Sequence, residues 1–326
     1  MGNDMKKILY IRRTPTTKID GTVRYCDALH DMFANDDTLK ACHIENYPTN
    51  KSLFFHYSYK KKPLADAIRQ ADIIHINGYT AMGTVQAFLL AKRYKKKIVY
   101  TAHWHPFSML SHPAAGKLFF NVFLRSLIHR YADNVVCINN EDTAFFSRFC
   151  KNVTRIPHWF SAKRPDTLPE KKKNMVLFVG RVNDHVKGIN YIYALPEGKY
   201  DIHCVGNGTL PQQRADITHH VNISDEELGK LYAQASLLVI PSMYEAFSYV
   251  ALEAFSYGTP VVMSDRVRIA DYLDNVQGYS VFPYGNKQAF IDNVAATIGK
   301  PVDVEAILSI FNPNRIRMLY KQLYNS

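Results

Sequence analysis

The chain has 326 residues, of which 47% are hydrophobic and 21% are charged, and its formal net charge is +11. This length is typical of two domains, and the composition excludes a wholly disordered, collagen-like or low-complexity chain. The positive surplus lies entirely in residues 1–160, which carry 23 basic and 12 acidic side chains, because residues 161–326 carry 17 of each. Nucleic acid, an anionic membrane surface and a phosphorylated ligand are all compatible with that charge.

In the first half, five short apolar runs alternate with stretches of helical spacing. The runs are Lys7–Ile11, Ala41–Tyr47, Asp72–Asn77, Lys97–Ala102 and Asn134–Asn139. Helical patterns lie between them, for example at Val23–Phe33 and Met82–Tyr94. Nearly continuous apolar strands separated by helices predict a parallel sheet that is covered on both faces.

The pattern restarts after a linker rich in proline and lysine near residues 158–174. The second set of runs is Met175–Val179, Asp201–Val205, Leu237–Ile240, Pro260–Met263 and Tyr279–Phe282. We predict an α/β fold of two Rossmann-like, doubly wound domains, residues 1–160 and 161–311, which face each other across a cleft. A C-terminal helix within 312–326 can pack back on the first domain.

The cysteine pattern and the lack of recognisable targeting segments predict the cellular location of the protein. Its five cysteines form no CxxC pair or zinc-type cluster, which is typical of reduced thiols in a cytosolic protein. The N-terminus lacks the apolar region of a signal peptide, and no apolar run approaches the ~20 residues of a membrane span. We expect a cytoplasmic protein, and attachment to the inner face of the membrane stays open.

The segment Leu237–Asp265 carries the most chemical information, because it predicts a strand, a loop, a helix and a second strand. Glu245 lies in the loop, and Glu253 follows eight residues later within the helix. A helix start binds anions through its free backbone N–H groups and its dipole. Those N–H groups belong here to Ser248, Tyr249 and Val250. A nearby carboxylate can accept hydrogen bonds from sugar hydroxyls, so one loop can bind a diphosphate, a ribose and a hexose.

This segment resembles the retaining glycosyltransferases of the GT-B fold, family four in the usual sequence classification, through the pattern PSxxExFxxxxLEAxxxGxPVV. The resemblance implies that Glu253 binds the ribose of the nucleotide and that Glu245 faces the donor sugar. Two glutamates eight residues apart would by themselves be acids that stabilise a helix start. The whole 29-residue pattern favours the functional interpretation.

A second pattern agrees with the first. Gly180-Arg181 follows a predicted strand, and Lys187-Gly188 comes six residues later, which resembles the family's "GR…KG" signature. The resemblance implies that Arg181 and Lys187 hold the donor phosphates, where two cations stabilise charge without a metal. Outside the family context, Arg181 would be a surface residue and Lys187 a helix cap. Gly206 begins a match to the family's "GxG" turn, which is a weak signal alone.

Two residues of the first domain are candidates by the same resemblance. Gly21 stands in a loop where the family shows two glycines and which approaches the donor phosphates and the acceptor. His103 lies in the family's "TxH" site, where the side chain or nearby backbone meets the transferred sugar. A histidine at a strand end is otherwise a hydrogen-bonded packing residue, and this alternative stays open. His103 and His105 could suggest a metal, but no third ligand can be identified.

The resemblance therefore implies two overlapping sets of site residues. The catalytic set is His103, Arg181, Lys187 and Glu245. The donor-binding set is Gly21, Gly180, Arg181, Lys187, Gly206, Glu245, Phe247, Ser248, Tyr249, Val250 and Glu253. The chain has no Asp-x-Asp, the metal-chelating motif of the other major transferase fold. We expect no metal and no other cofactor, and a UDP- or GDP-sugar as the donor substrate.

The chain departs from the family pattern at three positions. Ala246 and Ser248 stand where glycines are common, which leaves the donor preference in question. His158 replaces the usual asparagine after the Ile-Pro turn. The resemblance is strongest over residues 174–295 and fainter over residues 6–160.

The positive charge of the first half indicates the kind of acceptor, the second substrate of the reaction. Residues 51–62 and 117–131 combine Lys and Arg with aromatic side chains, a pattern that can bind an anionic membrane surface. The alternative is that the apolar face of 117–131 packs on the sheet and its charges are solvated. We predict a retaining transferase that moves a hexose or N-acetylhexosamine from the donor to a lipid-linked or cell-surface glycan.

Two other classes of function stay open at this point. One is a basic protein that binds or glycosylates nucleic acid, which the neutral second half and the lack of a nucleic-acid motif disfavour. We therefore expect no nucleic-acid partner. The other is a non-catalytic subunit that binds a sugar nucleotide, which the presence of Arg181, Lys187, Glu245 and Glu253 disfavours.

Overall fold

The computed structural model describes residues 5–11, 21–43, 61–78, 81–103, 118, 120–161 and 169–326. The chain divides into two compact units, the first formed by Met1–His158 with Ile316–Ser326 and the second by Trp159–Arg315. The residues predicted as a linker, where described, form no helix or strand. No helix in the described ranges is long and apolar enough to cross a membrane.

The first unit is a six-stranded parallel sheet with helices between successive strands. Its strands are β1 Lys6–Ile11, β2 Leu39–His43, β3 Ile73–Asn77, β4 Lys97–Thr101, β5 Asn134–Cys137 and β6 Val153–Arg155. Across the sheet they lie in the order β2-β1-β3-β4-β5-β6. Its helices are α1 Gly21–Met32, α2 Lys61–Gln70, α3 Ala81–Arg93, α4 Arg125–Tyr131, which continues a helical turn at Phe120–Leu124, and α5 Asn140–Phe146. The central strand β3 is buried along its whole length, as expected where helices cover both faces.

The second unit repeats this architecture with the strand order β12-β11-β10-β7-β8-β9, again fully parallel. Its strands are β7 Met175–Val179, β8 Asp201–Val205, β9 Ile217–His220, β10 Leu237–Ile240, β11 Val261–Ser264 and β12 Tyr279–Phe282. Its α-helices are α6 Asp225–Gln234, α7 Tyr249–Ser256, α8 Lys287–Thr297 and α9 Val304–Ile310, and short 3₁₀ helices lie at His185–Lys187, Ile189–Ala194 and Arg268–Tyr272. The predicted α/β architecture of two Rossmann-like domains is confirmed.

Two observed strands, β6 and β9, were not expected from the sequence. Each is the last strand of its sheet and has a neighbour on one side only. Their sequences, VTR and ITHH, are short and polar, and no residue in either strand is fully buried. An edge strand does not require the continuous apolar run of a central strand, and these two sequences lack one, so they carry little strand signal.

The C-terminal helix α10, Pro313–Asn325, belongs to the first unit from Ile316 onward. Its residues Tyr320 and Tyr324 are fully buried there, and the Tyr324 hydroxyl lies 2.7 Å from Nδ1 of His75. The Tyr320 hydroxyl makes a short hydrogen bond with the Tyr25 hydroxyl on α1. Burial lowers the pKa of His75 to about 3, so this histidine is neutral at physiological pH.

The same helix is also held by a buried carboxylate. Asp36, whose side chain is fully buried, lies 2.7 Å from the Arg317 guanidinium and 3.2 Å from Lys321 Nζ. Its Oδ1 also accepts hydrogen bonds from the backbone N–H and the hydroxyl of Thr38, each at 2.8 Å. Burial alone would raise the pKa of Asp36, but the bonds from Thr38 and Lys321 outweigh it and lower the pKa to about 2. The carboxylate is therefore ionised in the folded protein at neutral pH.

Candidate functional site

The predicted donor-binding residues of the second unit gather at one edge of its sheet. Gly180 follows β7, Gly206 follows β8, and Glu245 lies in the loop after β10. Since β7, β8 and β10 are parallel neighbours, their carboxyl ends meet at the same edge. Ligands of open parallel α/β sheets bind at this edge.

The centre of the site is an ion pair between two residues that the sequence singled out separately. Lys187 Nζ donates to Glu245 Oε1 at 2.8 Å, and the two side chains are 28% and 12% exposed. Ser242 Oγ donates to the same carboxylate oxygen at 2.8 Å. An ammonium group has three N–H donors, so Lys187 retains donors for a ligand while it contacts Glu245.

The backbone around Glu245 is fixed by the neighbouring loop. Its N–H donates to the Arg266 carbonyl at 3.1 Å, and its carbonyl accepts from Arg268 N–H at 2.9 Å. On the other side, Met243 N–H donates to the Val186 carbonyl at 2.7 Å. These bonds hold the Glu245 loop against the segment that carries Lys187.

Lys187 ends a 3₁₀ turn, and Gly188 follows it with φ of 74°. A Cβ at Gly188 would lie 2.0 Å from the Pro241 carbonyl oxygen, so only glycine allows this close approach.

Arg181 does not contact Glu245 as Lys187 does. Its guanidinium is largely exposed and pairs with Asp184 at 2.6 Å. The two predicted phosphate-binding cations thus contact different carboxylates.

The helix α7 begins beside this ion pair, and its N-terminus has no side-chain cap. Ser248 is the N-cap residue, but its side chain makes no bond to the helix. By contrast, Ser224 at the start of α6 accepts a bond from Glu227 N–H in a complete capping box. The Ser248 Oγ is buried and, within the described residues, has no hydrogen-bond partner. An uncapped helix start with an additional hydroxyl is suited to bind an anion.

Phe247, Tyr249 and Val250 complete the predicted set around that helix start. The rings of Phe247 and Tyr249 lie edge to face at 5.5 Å, and Phe247 also packs on Phe311 at 5.5 Å. Val250 is partly buried against the core. Their side chains therefore shape the loop, and their backbone carries the polar groups.

Glu253 is oriented by a residue that the sequence did not single out for function. The Tyr232 hydroxyl on α6 donates to Glu253 Oε2 at 2.7 Å. Burial, together with the Glu253 charge, holds the pKa of Tyr232 well above its ordinary value, so the hydroxyl remains a donor. The sequence held no signal for this pair, because the two residues meet only when α6 packs beside α7.

Gly206 has a conformation that other residues rarely adopt. Its φ is 146°, and a Cβ there would lie 2.1 Å from the Gly180 carbonyl oxygen. Its N–H donates to the His220 carbonyl at 3.0 Å, and His219 Nε2 donates to its carbonyl at 2.8 Å. The edge strand β9 thus fixes the turn after β8.

We expect Gly206→Ala to weaken binding of a nucleoside diphosphate at least tenfold, because the added Cβ displaces the Gly180 backbone from the candidate site. Isothermal titration calorimetry measures this effect. Gly198→Ala is the matched control, because Gly198 also has a positive φ of 73° but has no atom within 4 Å of the added Cβ. Equal affinity in the two variants would show that the close approach is irrelevant to binding.

In the first unit, His103 lies just past the end of β4 and is partly buried. Its Nε2 lies 3.1 Å from Asn77 Oδ1, and its ring packs edge to face on Tyr25 at 4.4 Å. Burial lowers the pKa of His103 well below its ordinary value, and His158 and His75 lower it further. The sequence placed Gly21 in a loop, but it is the first residue of α1, and His105 lies outside the described residues.

Over the described ranges, no group of three or more His, Cys, Asp or Glu side chains could hold a metal ion. The polar groups gathered at the second unit's sheet edge are instead an ammonium, carboxylates, a hydroxyl and a helix start. Such a set can bind phosphate and hydroxyl groups by charge-assisted hydrogen bonds.

Two family models match separate parts of the chain. One, described as Glycosyltransferase Family 4, matches residues 22–164, and the other, described as Glycosyl transferases group 1, matches residues 173–300. The two matched ranges correspond to the two units of the structure.

Two curated relatives each match part of the chain. An uncharacterized glycosyltransferase of Methanocaldococcus jannaschii is 35% identical over 127 residues, which is 34% of this chain and 32% of that protein. An α-1,4-N-acetyl-D-galactosaminyltransferase of Campylobacter jejuni, which acts on an undecaprenol-linked saccharide, is 24% identical over 179 residues, 52% of this chain and 47% of that enzyme. The match thus spans about a third of the first relative and about half of the second.

Solved structures match over nearly the whole chain and show the same fold. The sucrose-phosphate synthase of Thermosynechococcus elongatus superimposes with a TM-score of 0.69 at 18% identity, covering 98% of both chains. The Anabaena protein HepE in complex with UDP gives a TM-score of 0.70 at 16% identity, covering 98% of this chain and 100% of that chain.

Proposed function

Because the chain belongs to the glycosyltransferases of the GT-B fold, we propose that it transfers a sugar from a nucleotide diphosphate donor to a glycan, with retention of configuration. The transferred sugar is a hexose or an N-acetylhexosamine, and the acceptor is a lipid-linked or cell-surface glycan. The observation that carries the proposal is the Lys187–Glu245 ion pair at 2.8 Å beside the uncapped start of α7.

Each part of this site has a role in the proposed reaction. Lys187, Arg181 and the N–H groups near Ser248 bind the diphosphate, which gains negative charge as it leaves. Glu253 accepts hydrogen bonds from the ribose, and Glu245 from the donor sugar. Since the cations and the helix start stabilise the leaving charge, we propose that the reaction needs no metal ion.

The chemical step is a front-side substitution at the anomeric carbon. The bond between that carbon and the diphosphate oxygen breaks, and a bond to the acceptor oxygen forms on the same face. The proton of the acceptor hydroxyl passes to an oxygen of the departing phosphate. His103 contacts a hydroxyl of the transferred sugar, and Gly21, the first residue of α1, approaches the phosphates.

A thermal-shift screen with UDP-, GDP- and ADP-sugars tests donor binding. We expect one nucleotide to raise the melting temperature by a few degrees, as a ligand at about 100 times its Kd adds ~2.7 kcal/mol. UDP-sugars are the first donors to test, because HepE, a protein of similar fold, has been solved in complex with UDP and with UDP-glucose.

Glu253→Ala is expected to abolish most of that shift, because the variant lacks the carboxylate assigned to the ribose. Glu226→Ala is the matched control, since Glu226 is an exposed glutamate paired with Lys230 on α6. An unchanged nucleotide shift in Glu253→Ala would refute the site assignment. Nucleotide binding without release of nucleoside diphosphate in any donor–acceptor pair would instead indicate a non-catalytic binding subunit.

We further propose that the enzyme works at an anionic membrane surface. The helical segment within 117–131 exposes three apolar side chains, and the exposed fractions are 64% at Leu118, 52% at Val122 and 57% at Phe123. Arg125 and Arg130 are exposed on the same segment. A segment that exposes both apolar side chains and cations fits anionic lipid headgroups. Residues 51–60, 117 and 119 lie outside the described residues.

Vesicle sedimentation tests this surface. We expect the protein to bind vesicles that contain 30 mol% phosphatidylglycerol and to remain free with pure phosphatidylcholine, since each cation near an anionic surface adds about 1 kcal/mol. Val122→Glu combined with Arg130→Glu is expected to abolish the binding. Met318→Glu, at an apolar residue of the first unit that is 60% exposed, is expected to bind normally. Binding that is equal in the double variant and the wild type would refute this surface.

A further inference from the structure

Asn77 and His103 lie at the ends of neighbouring strands of the first unit. Asn77 is the last residue of β3 and pairs with Thr101, the last residue of β4, in the parallel register. His103 follows two residues later. The Asn77 side chain is buried, with an exposed fraction of 2%, and is therefore removed from competing water.

The hydrogen bonds of Asn77 fix the orientation of its amide. Its Nδ2 donates to the His75 carbonyl at 3.3 Å, which leaves Oδ1 directed at His103 Nε2 at 3.1 Å. A carbonyl oxygen only accepts hydrogen bonds, so the ring nitrogen that faces it must carry the proton. His103 is therefore protonated at Nε2.

The surroundings of His103 favour the neutral ring. The titratable groups that face it are Tyr25, whose ring lies 4.4 Å away, together with His158 and His75. No acidic side chain among the described residues contributes to its titration. A neutral ring with a proton on Nε2 presents an unprotonated Nδ1, which can only accept a hydrogen bond.

We infer that Asn77 is a positioning residue that holds His103 in the Nε2–H tautomer, so that Nδ1 accepts a hydrogen bond from a hydroxyl of the transferred sugar. This inference rests on the proposed function for the identity of the hydroxyl. The tautomer itself follows from the two hydrogen bonds of Asn77 and does not depend on that function. A sugar hydroxyl then has to donate to His103, which makes this contact sensitive to the presence and configuration of that hydroxyl.

Nitrogen-15 NMR of protein labelled at histidine measures the tautomer directly. The His103 signals are assigned by their loss in His103→Gln. In the wild type we expect a protonated Nε2 and an unprotonated Nδ1, and in Asn77→Leu we expect the proton to populate Nδ1. A wild-type spectrum with the proton on Nδ1, or an unchanged spectrum in Asn77→Leu, would overturn the inference. This measurement needs no substrate, so it stands apart from a failure of the proposed function.

Kinetics test the consequence for catalysis. We expect Asn77→Leu to lower kcat/KM about tenfold, which corresponds to the loss of one hydrogen bond. Binding of the nucleoside diphosphate, which lacks the sugar, is expected to remain at the wild-type level. In a His103→Ala background the same substitution should cause no further loss. A full tenfold loss in that background would show that Asn77 acts through the fold and not through His103.

Asn77→Asp separates positioning from folding. A carboxylate retains the bond from Nε2–H but stabilises the imidazolium, so the pKa of His103 rises and Nδ1 becomes a donor near neutral pH. We expect this variant to lose activity at pH 7 and to recover it at alkaline pH, whereas Asn77→Leu recovers at no pH. Identical pH profiles for the two variants would overturn the inference.

Discussion

Lys187→Met is expected to lower kcat/KM for sugar transfer by roughly 10³-fold, the effect of removing one preorganised group that stabilises charge in a transition state. The methionine retains the length of the side chain but has no charge and no N–H donor. It also leaves the Glu245 carboxylate without its cation, close to where the diphosphate binds in the proposed site. Product formation by the purified variants, followed by chromatography, measures the loss.

Two further variants define the role of Lys187. Lys187→Arg retains the charge but replaces a compact ammonium with a planar fork, so we expect it to recover only part of the activity. Lys230→Met removes an exposed lysine of the same unit that pairs with Glu226, and wild-type activity is expected. If Lys187→Met kept more than a tenth of the wild-type kcat/KM, the proposed role of this ammonium would be wrong.

Asp36→Ala is expected to destabilise the first unit by about 3 kcal/mol, because it leaves the donors that bond to this buried carboxylate without their acceptor. Those donors come from Thr38, Arg317 and Lys321. The two cations are each more than a third exposed, at 39% and 38%, so water partly compensates for their lost partner. Urea unfolding followed by circular dichroism measures the change in the free energy of unfolding.

Asp37→Ala is the matched control, because Asp37 is the exposed neighbour of Asp36 and is expected to change stability by less than about 0.5 kcal/mol. The pKa of Asp36 in the folded protein is about 2, below its ordinary value of 3.8. A lowered carboxylate pKa stabilises the fold above pH 3.8, and this contribution is lost as the pH falls towards 2. The wild-type advantage over Asp36→Ala should therefore shrink between these pH values. An advantage that persists unchanged at pH 2 would contradict this origin.

The sequence alone predicted the parts of the fold that depend on local patterns. Strands β7, β8, β10 and β12 begin and end at the predicted residues, because each is a short apolar run with a clear stop. The glutamates, the lysine and the glycines of the candidate site were predicted from three separate motifs, through the family that these motifs resemble. Strands β6 and β9 were missed, since each lies at a sheet edge and its short polar sequence contains no apolar run.

What the tertiary structure decided is which of these residues meet. The partners Lys187 and Glu245 are separated by 58 residues, Tyr232 and Glu253 by 21, and Asn77 and His103 by 26. Parallel strands bring residues from successive βα units to one edge, and the register of the strands sets which side chains touch. The C-terminal helix packs on the first unit through contacts of the same kind. Its buried tyrosines bond to a hydroxyl and an imidazole of that unit. Such pairings depend on the packing of whole elements, and no local pattern of residues contains that information.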